Sequence, residues 1–367
     1  MTSPLVERLT SSIKSSASKE SRAFLISELA CYWARTGEFE VAERLRVELR
    51  TEFGDGRSLR VSVMVMCLEA LMLYYKELSP NARDRMARAT LLSNAARERD
   101  LIAITSAWMA HIDFNLNRFE SMSVALSDCF NVLAEGDFAA NCRASIVLGD
   151  AFLFSDNLPI AKIWYERARQ AAVQYGDQAA VGAMVYNRAA LRVAAARFAS
   201  LTRPVPVAEA SMIRAEVKSA INYQIVARIR SLDHLLRSAE IGALILQENF
   251  HEAGVAIDAL LASNELQPET GQAVMTAADQ ALVWANAGRV IEAANRVSHL
   301  LAGDLMHIGP DDRGLILWSL LRAAELCNQI DEARRIRELM DSAITEHERF
   351  LDELRIRISP YAEARYP

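Results

Sequence analysis

Three observations predict an all-α repeat protein. Glycine and proline are scarce, 14 and 9 in 367 residues, too few for strands joined by many tight turns. Alanine, leucine, arginine and glutamate, all good helix formers, dominate the text. One short phrase also recurs with a period of about 40 residues: a turn-forming or polar residue, an apolar residue two positions on, and a small residue five positions on.

The phrase is read at Gly37-Glu38-Phe39 to Ala42, Asp156-Asn157-Leu158 to Ala161, Glu248-Asn249-Phe250 to Ala253, Gly288-Arg289-Val290 to Ala293 and Asn328-Gln329-Ile330 to Ala333. A looser copy is Asn117-Arg118-Phe119 to Met122. Its physics is that of an antiparallel helix hairpin. The first residue ends one helix, the apolar residue tucks the turn against the pair, and the small residue lets the second helix approach closely. Apolar stripes at helical spacing flank it, such as Ile146, Leu148, Phe152 and Leu153 before one turn and Ala161, Tyr165 and Ala168 after it.

Copies are missing where Ser79-Pro80-Asn81 starts a helix and near Arg203-Pro204-Val205-Pro206, where prolines force an extended linker. Eight to nine helix pairs are then expected to fill residues 1–367 as one array, because each repeat need pack only on its neighbours. Residues 1–20 read as an N-terminal capping helix, begun by Ser3-Pro4 with Leu5, Leu9 and Ile13 as its stripe. Residues 331–358 read as a long C-terminal capping helix, stopped by Ser359-Pro360. A homodimer contact along that helix is the sharper alternative, and no output domain is expected in the chain.

The run Ala144 to Phe152, followed by Asn157-Leu158, Ala161, Tyr165 and Ala168, resembles a tetratricopeptide repeat (TPR). Leu148 and Gly149, Phe152, Ala161, Tyr165 and Ala168 stand at the signature places. Other units keep the turn and the closing small residue but replace the Leu-Gly pair by Leu29-Ala30, Met109-Ala110, Gln280-Ala281 and Leu320-Leu321. HEAT and armadillo repeats share the longer period, and the turn phrase favours the TPR reading. The resemblance implies a right-handed superhelical solenoid with a concave groove. Such long, degenerate repeats are similar to those of bacterial signal-sensing regulators, including peptide-pheromone receptors, maltose-regulator-type sensors and the sensor halves of some cyclic-dinucleotide synthases.

Composition narrows the function. A net charge of −6 argues against nucleic acid and anionic membranes as partners. The longest apolar stretch, Val61 to Tyr75, contains Glu69 and is too short to span a bilayer. The segment Thr2 to Ser21 lacks the apolar run of a secretory signal, and Cys31, Cys67, Cys129, Cys142 and Cys327 show no CxxC spacing, so a reducing, cytoplasmic setting is expected. No dinucleotide, P-loop, zincin or nucleophile-elbow signature occurs. His299, Asp304 and His307 come nearest to a metal set, but loop residues of that kind are usually solvated. No enzyme activity, cofactor or metal is expected.

The expectation is a partner-binding groove. In the TPR resemblance the first helix of each pair lines the concave face, which implies Arg143, Ile146, Asp150 and Phe154 in the best-matched unit. Asn187, Leu191 and Arg192 follow in the next unit, and His111 and Asn115 in the preceding one. His111 and Asp113, two positions apart, cannot share a helix face and so cannot act as an acid/base pair. A basic central segment, residues 188–237, holds nine basic side chains against three acidic ones. It would attract a small anionic ligand, such as a nucleotide or an acidic peptide, or else pair with neighbouring helices. The expected partner is a protein or peptide, with the small anionic ligand as the alternative.

Overall fold

In the computed structural model, which describes residues 3–54, 56–201, 203–263, 265–267 and 270–363, every residue that opens the recurring phrase has a left-handed backbone. The φ angles are 85° at Gly37, 58° at Asn117, 64° at Asp156, 55° at Glu248, 76° at Gly288 and 57° at Asn328. The next residue's N–H then bonds back across the helix end in each case, from Glu38 to the Trp33 carbonyl at 2.9 Å, for example, and from Asn157 to that of Phe152 at 2.8 Å. This is the Schellman closure, which satisfies carbonyls that the helix leaves orphaned. The apolar residue two positions on begins the second helix each time. The closing residues Ala42, Met122, Ala161, Ala253 and Ala293 are fully buried and Ala333 nearly so.

Seventeen α-helices and no strand are present among the described residues. After α1 (Pro4–Ser15) come α2 (Lys19–Thr36) with α3 (Phe39–Phe53), α4 (Leu59–Glu77) with α5 (Asn81–Ala96), α6 (Arg99–Asn115) with α7 (Phe119–Val132), and α8 (Phe138–Phe154) with α9 (Leu158–Tyr175). Then follow α10 (Gln178–Ala199) with α11 (Val207–Ala227), α12 (Asp233–Leu246) with α13 (Phe250–Ala262), α14 (Gly271–Asn286) with α15 (Val290–Leu301), and α16 (Pro310–Leu326) with α17 (Ile330–Ile358). The first helices begin 38 to 40 residues apart, except for one step of 55 where α10 and α11 are longer and the proline linker joins them. Helices adjacent in sequence pack together, as a helical repeat requires. No helix among the described residues is long and apolar enough to cross a membrane.

The chain divides into two compact units, Met1–Asn187 with Asn222–Leu232 and Leu354–Pro367, and Arg188–Ile221 with Asp233–Glu353. Three of the four boundaries fall within α10, α11 and α17, and the fourth in the connection before α12.

Within the first unit, successive first helices α2, α4, α6 and α8 lie side by side, each backed by its own second helix. The pair α8/α9 shows why the Leu-Gly signature matters. A Cβ on Gly149 would stand 2.8 Å from the Tyr165 ring, so the glycine is what lets that ring lie on the α8 backbone. Two long-range seams complete the unit. The Leu5 N–H donates to the Gly176 carbonyl at 3.1 Å and the Arg230 N–H to that of Thr36 at 2.9 Å. At the far end Leu354, Ile358 and Tyr361 are buried, and Trp164 Nε1 donates to the Tyr361 carbonyl at 3.3 Å.

The second unit has its own core, where Ala278, Ala281, Ile316, Leu320 and Ala324 meet Ala293, Val297, Ile336 and Met340. Inside it Arg197 donates to both carboxylate oxygens of Asp279, at 3.0 and 2.6 Å, and to Ser319 Oγ at 3.1 Å.

Five of the nine basic side chains of residues 188–237 are ion-paired among the described residues. Arg192 pairs with Glu216 at 2.5 Å, Arg188 with the same carboxylate at 3.5 Å, Arg197 with Asp279, Arg214 with Glu252, and Arg237 with Asp233 at 2.6 Å. Four of these five arginines reach a carboxylate on another helix, and Arg237 one on its own.

Candidate functional site

The first helices of the first unit converge on a common cavity of about 60 Å³. Its wall takes Glu28, Cys31 and Arg35 from α2, Met64 and Cys67 from α4, Trp108 from α6 and Arg143 from α8, with Leu5 of α1 and Asp177 beside them. A face so rich in charge is not needed to hold helix pairs together, since the pairs close through apolar and small residues.

Trp108 is the centre of the arrangement. The Arg143 guanidinium carbon lies 3.8 Å from its ring centroid and that of Arg35 5.9 Å away, so two cations approach one indole. Their neutralisation differs. Arg35 Nη1 donates to Asp177 Oδ2 at 2.7 Å, while Asp177 Oδ1 accepts the Ala180 N–H at 3.0 Å and so caps α10. Arg143 is 3% exposed, and its Nη1 has no hydrogen-bond partner.

Burial works against charge on several other groups in and around the wall. Burial pushes the thiols of Cys31 and Cys142 up to about 12 and raises Cys67 as well, so these sulfurs are apolar wall rather than nucleophiles. Burial also raises the Glu28 carboxyl, which accepts a hydrogen bond from the Tyr175 hydroxyl at 3.2 Å. His111 stands edge-on to Trp108 and Tyr74. Burial, and secondarily the charge of Arg143, hold it well below its ordinary value and therefore neutral.

The residues expected from sequence separate into groups. Of these only Arg143 lines the cavity; Asp150 and His111 are buried and Asn187 is half-buried. Asp150 Oδ1 accepts from the Tyr165 hydroxyl at 2.6 Å and Oδ2 from Asn187 Nδ2 at 2.7 Å, and burial raises its carboxyl to about 7. Ile146 is fully buried among Cys142, Ala168, Ala172 and Met184, so it supports the wall from behind. Phe154 lies edge-on to Phe114, at the last turn of α8. Asn115 is exposed and donates to the His111 carbonyl at 2.8 Å. Leu191 and Arg192 belong to the second unit, Leu191 half-buried and Arg192 paired with Glu216. Asp113 turns away from His111 to meet Arg83 at 2.5 Å, as their spacing requires.

Sequence reasoning missed Arg35, Glu28, Asp177 and the contribution of Leu5. A signal existed for Arg35, since it closes α2 directly before the Thr36-Gly37 turn that the repeat marks. Asp177 carried none beyond its place after Gly176, because its partner is 142 residues away. No protein-family model matches the chain, and no curated protein matches it.

Proposed function

We propose that the chain is a non-enzymatic scaffold or sensor of bacterial signalling, cytoplasmic, that holds a protein or peptide partner in the concave groove of a right-handed, TPR-like superhelix. The supporting observation is the inner wall of the first unit, where Arg35, Trp108, His111, Arg143 and Asp150 come from α2, α6 and α8. Buried arginine and tryptophan are the side chains that most often dominate recognition energy. An extended peptide laid along consecutive first helices would meet these groups in turn.

The test replaces Arg143 and Asn187 by alanine in the full chain and compares partner capture with the parent protein. Loss of the same protein from both variants is expected, and undiminished capture by both removes the groove assignment.

A second reading, a ligand-gated regulator, draws its support from the cavity itself. A small anionic signal bound there would favour one arrangement of α1 and the first helices over another and alter the surface offered to a partner. This reading expects a small molecule to raise the melting temperature with no protein partner present.

A further inference from the structure

We propose that the cavity walled by Leu5, Arg35, Trp108 and Arg143 is a binding site for a small oxyanion, a carboxylate or a phosphate group, which Arg143 receives as a planar fork.

The reasoning starts from charge. A buried guanidinium with no counter-charge is costly, and structures normally pair it or leave it in water. Here Arg143 is 3% exposed, makes no ion pair or hydrogen bond among the described residues, and lines an open space rather than a packed wall. The neighbouring carboxylates are already engaged. Asp177 is held by Arg35 and by the Ala180 N–H, Glu28 by the Tyr175 hydroxyl, and Asp150 by Tyr165 and Asn187. None of these carboxylates is hydrogen-bonded to Arg143, whose buried Nη1 is left for a ligand to answer.

Geometry adds the second argument. The Arg143 guanidinium carbon lies 3.8 Å from the Trp108 ring centroid and its Nη1 is buried with no hydrogen-bond partner, a donor that an oxyanion can accept from. The space of about 60 Å³ has room for about four water-sized groups, which suits a carboxylate or phosphate and little more. Leu5, Met64 and the protonated thiols of Cys31, Cys67 and Cys142 supply the apolar part of the wall, which also carries Glu28 and Asp177, and they exclude water that would screen the charge.

The inference rests on the groove reading for its biological meaning, since the oxyanion would be either a free ion or the acidic end of a larger partner. The experiment is thermal unfolding of the full chain in inorganic phosphate, in acetate, and in chloride at matched ionic strength, with tryptophan fluorescence as a second readout. Phosphate, acetate or both are expected to raise the melting temperature above the chloride control and to perturb the fluorescence. Phosphate alone assigns a phosphoryl ligand, acetate alone a carboxylate, and both assign the shared charge. Arg143→Met should weaken the response at least about tenfold, yet melt no lower than the parent without anion. An equal response in Arg143→Met, or no response of the parent to either anion, overturns the site. Should Arg143→Met fail to fold, Arg143→Lys keeps the charge and loses the fork; undiminished binding by it overturns the proposal. Partner capture that persists in the Arg143→Ala and Asn187→Ala variants beside an intact anion response removes the groove reading alone, and the reverse pattern removes the oxyanion site alone.

Discussion

Arg143 in the first unit and Arg197 in the second are nearly identical in exposure, 3% and 4%, and opposite in company. Arg197 closes a fork on Asp279, and Ser319 Oγ in turn donates to Asp279 Oδ1 at 2.6 Å, so the charge is answered within the protein. Arg143 has an indole beneath it and no carboxylate hydrogen-bonded to it among the described residues. A paired buried arginine serves the fold. An unpaired one at the edge of a cavity is a cost that the fold carries, and local rules are broken in this way mostly where function demands it.

Substitution should separate the two most sharply. Arg197→Met leaves the Asp279 carboxylate buried without its partner and is expected to cost about 3–5 kcal/mol, read as a shift of the denaturant midpoint at unchanged slope. Arg143→Met removes an uncompensated charge and is expected to stay within about 1 kcal/mol of the parent or to gain stability. Equal losses at the two positions would erase the distinction.

A second difference is carried by pH. Burial raises the Asp150 carboxyl from 3.8 to about 7, so the folded chain keeps a proton that the unfolded chain releases near pH 4. Its contribution to stability is therefore full below pH 4, declines as pH rises through the window from about 4 to 7, and is level above it. The loss amounts to roughly 2–4 kcal/mol. Asp150→Asn should flatten the stability profile in that window. The check is urea unfolding at a series of pH values.

How much of this was legible in the sequence follows from the range of each interaction. The helix pairs were, because left-handed closure, apolar tuck and small closing residue all lie within six positions of one another, and the phrase marks six turns. The pair α4/α5 escaped because its left-handed residue is Leu78, φ 48°, a residue type that does not advertise that conformation. Repeat position assigned Arg143, Asp150 and His111 to the groove-lining face, and in the structure all three are buried. Ile146 is fully buried, and a helix buried on nearly all sides gives no polar alternation from which to choose a face. The state of each arginine was out of reach, because pairing depends on carboxylates from other helices: Asp177 for Arg35, Asp279 for Arg197 and Glu252 for Arg214.

The smallest expected effect concerns what the two units share. Asp156 in the first unit and Glu248 in the second open the same turn, at φ 64° and 55°, and both side chains are exposed. A left-handed backbone costs a residue with a Cβ about 1 kcal/mol or more, and glycine relieves that strain while adding roughly half as much freedom to the unfolded chain. Asp156→Gly and Glu248→Gly are therefore each expected to stabilise by about 0.5 kcal/mol, a rise in melting temperature of about one degree for a chain of this length. Aspartate tolerates the left-handed region better than glutamate, through hydrogen bonds to its local backbone, so Asp156→Gly should gain the less of the two. Equal small gains would mean that the turn is a repeat property indifferent to its unit. A loss at either position would mean that the acidic side chain holds its turn by contacts beyond backbone geometry.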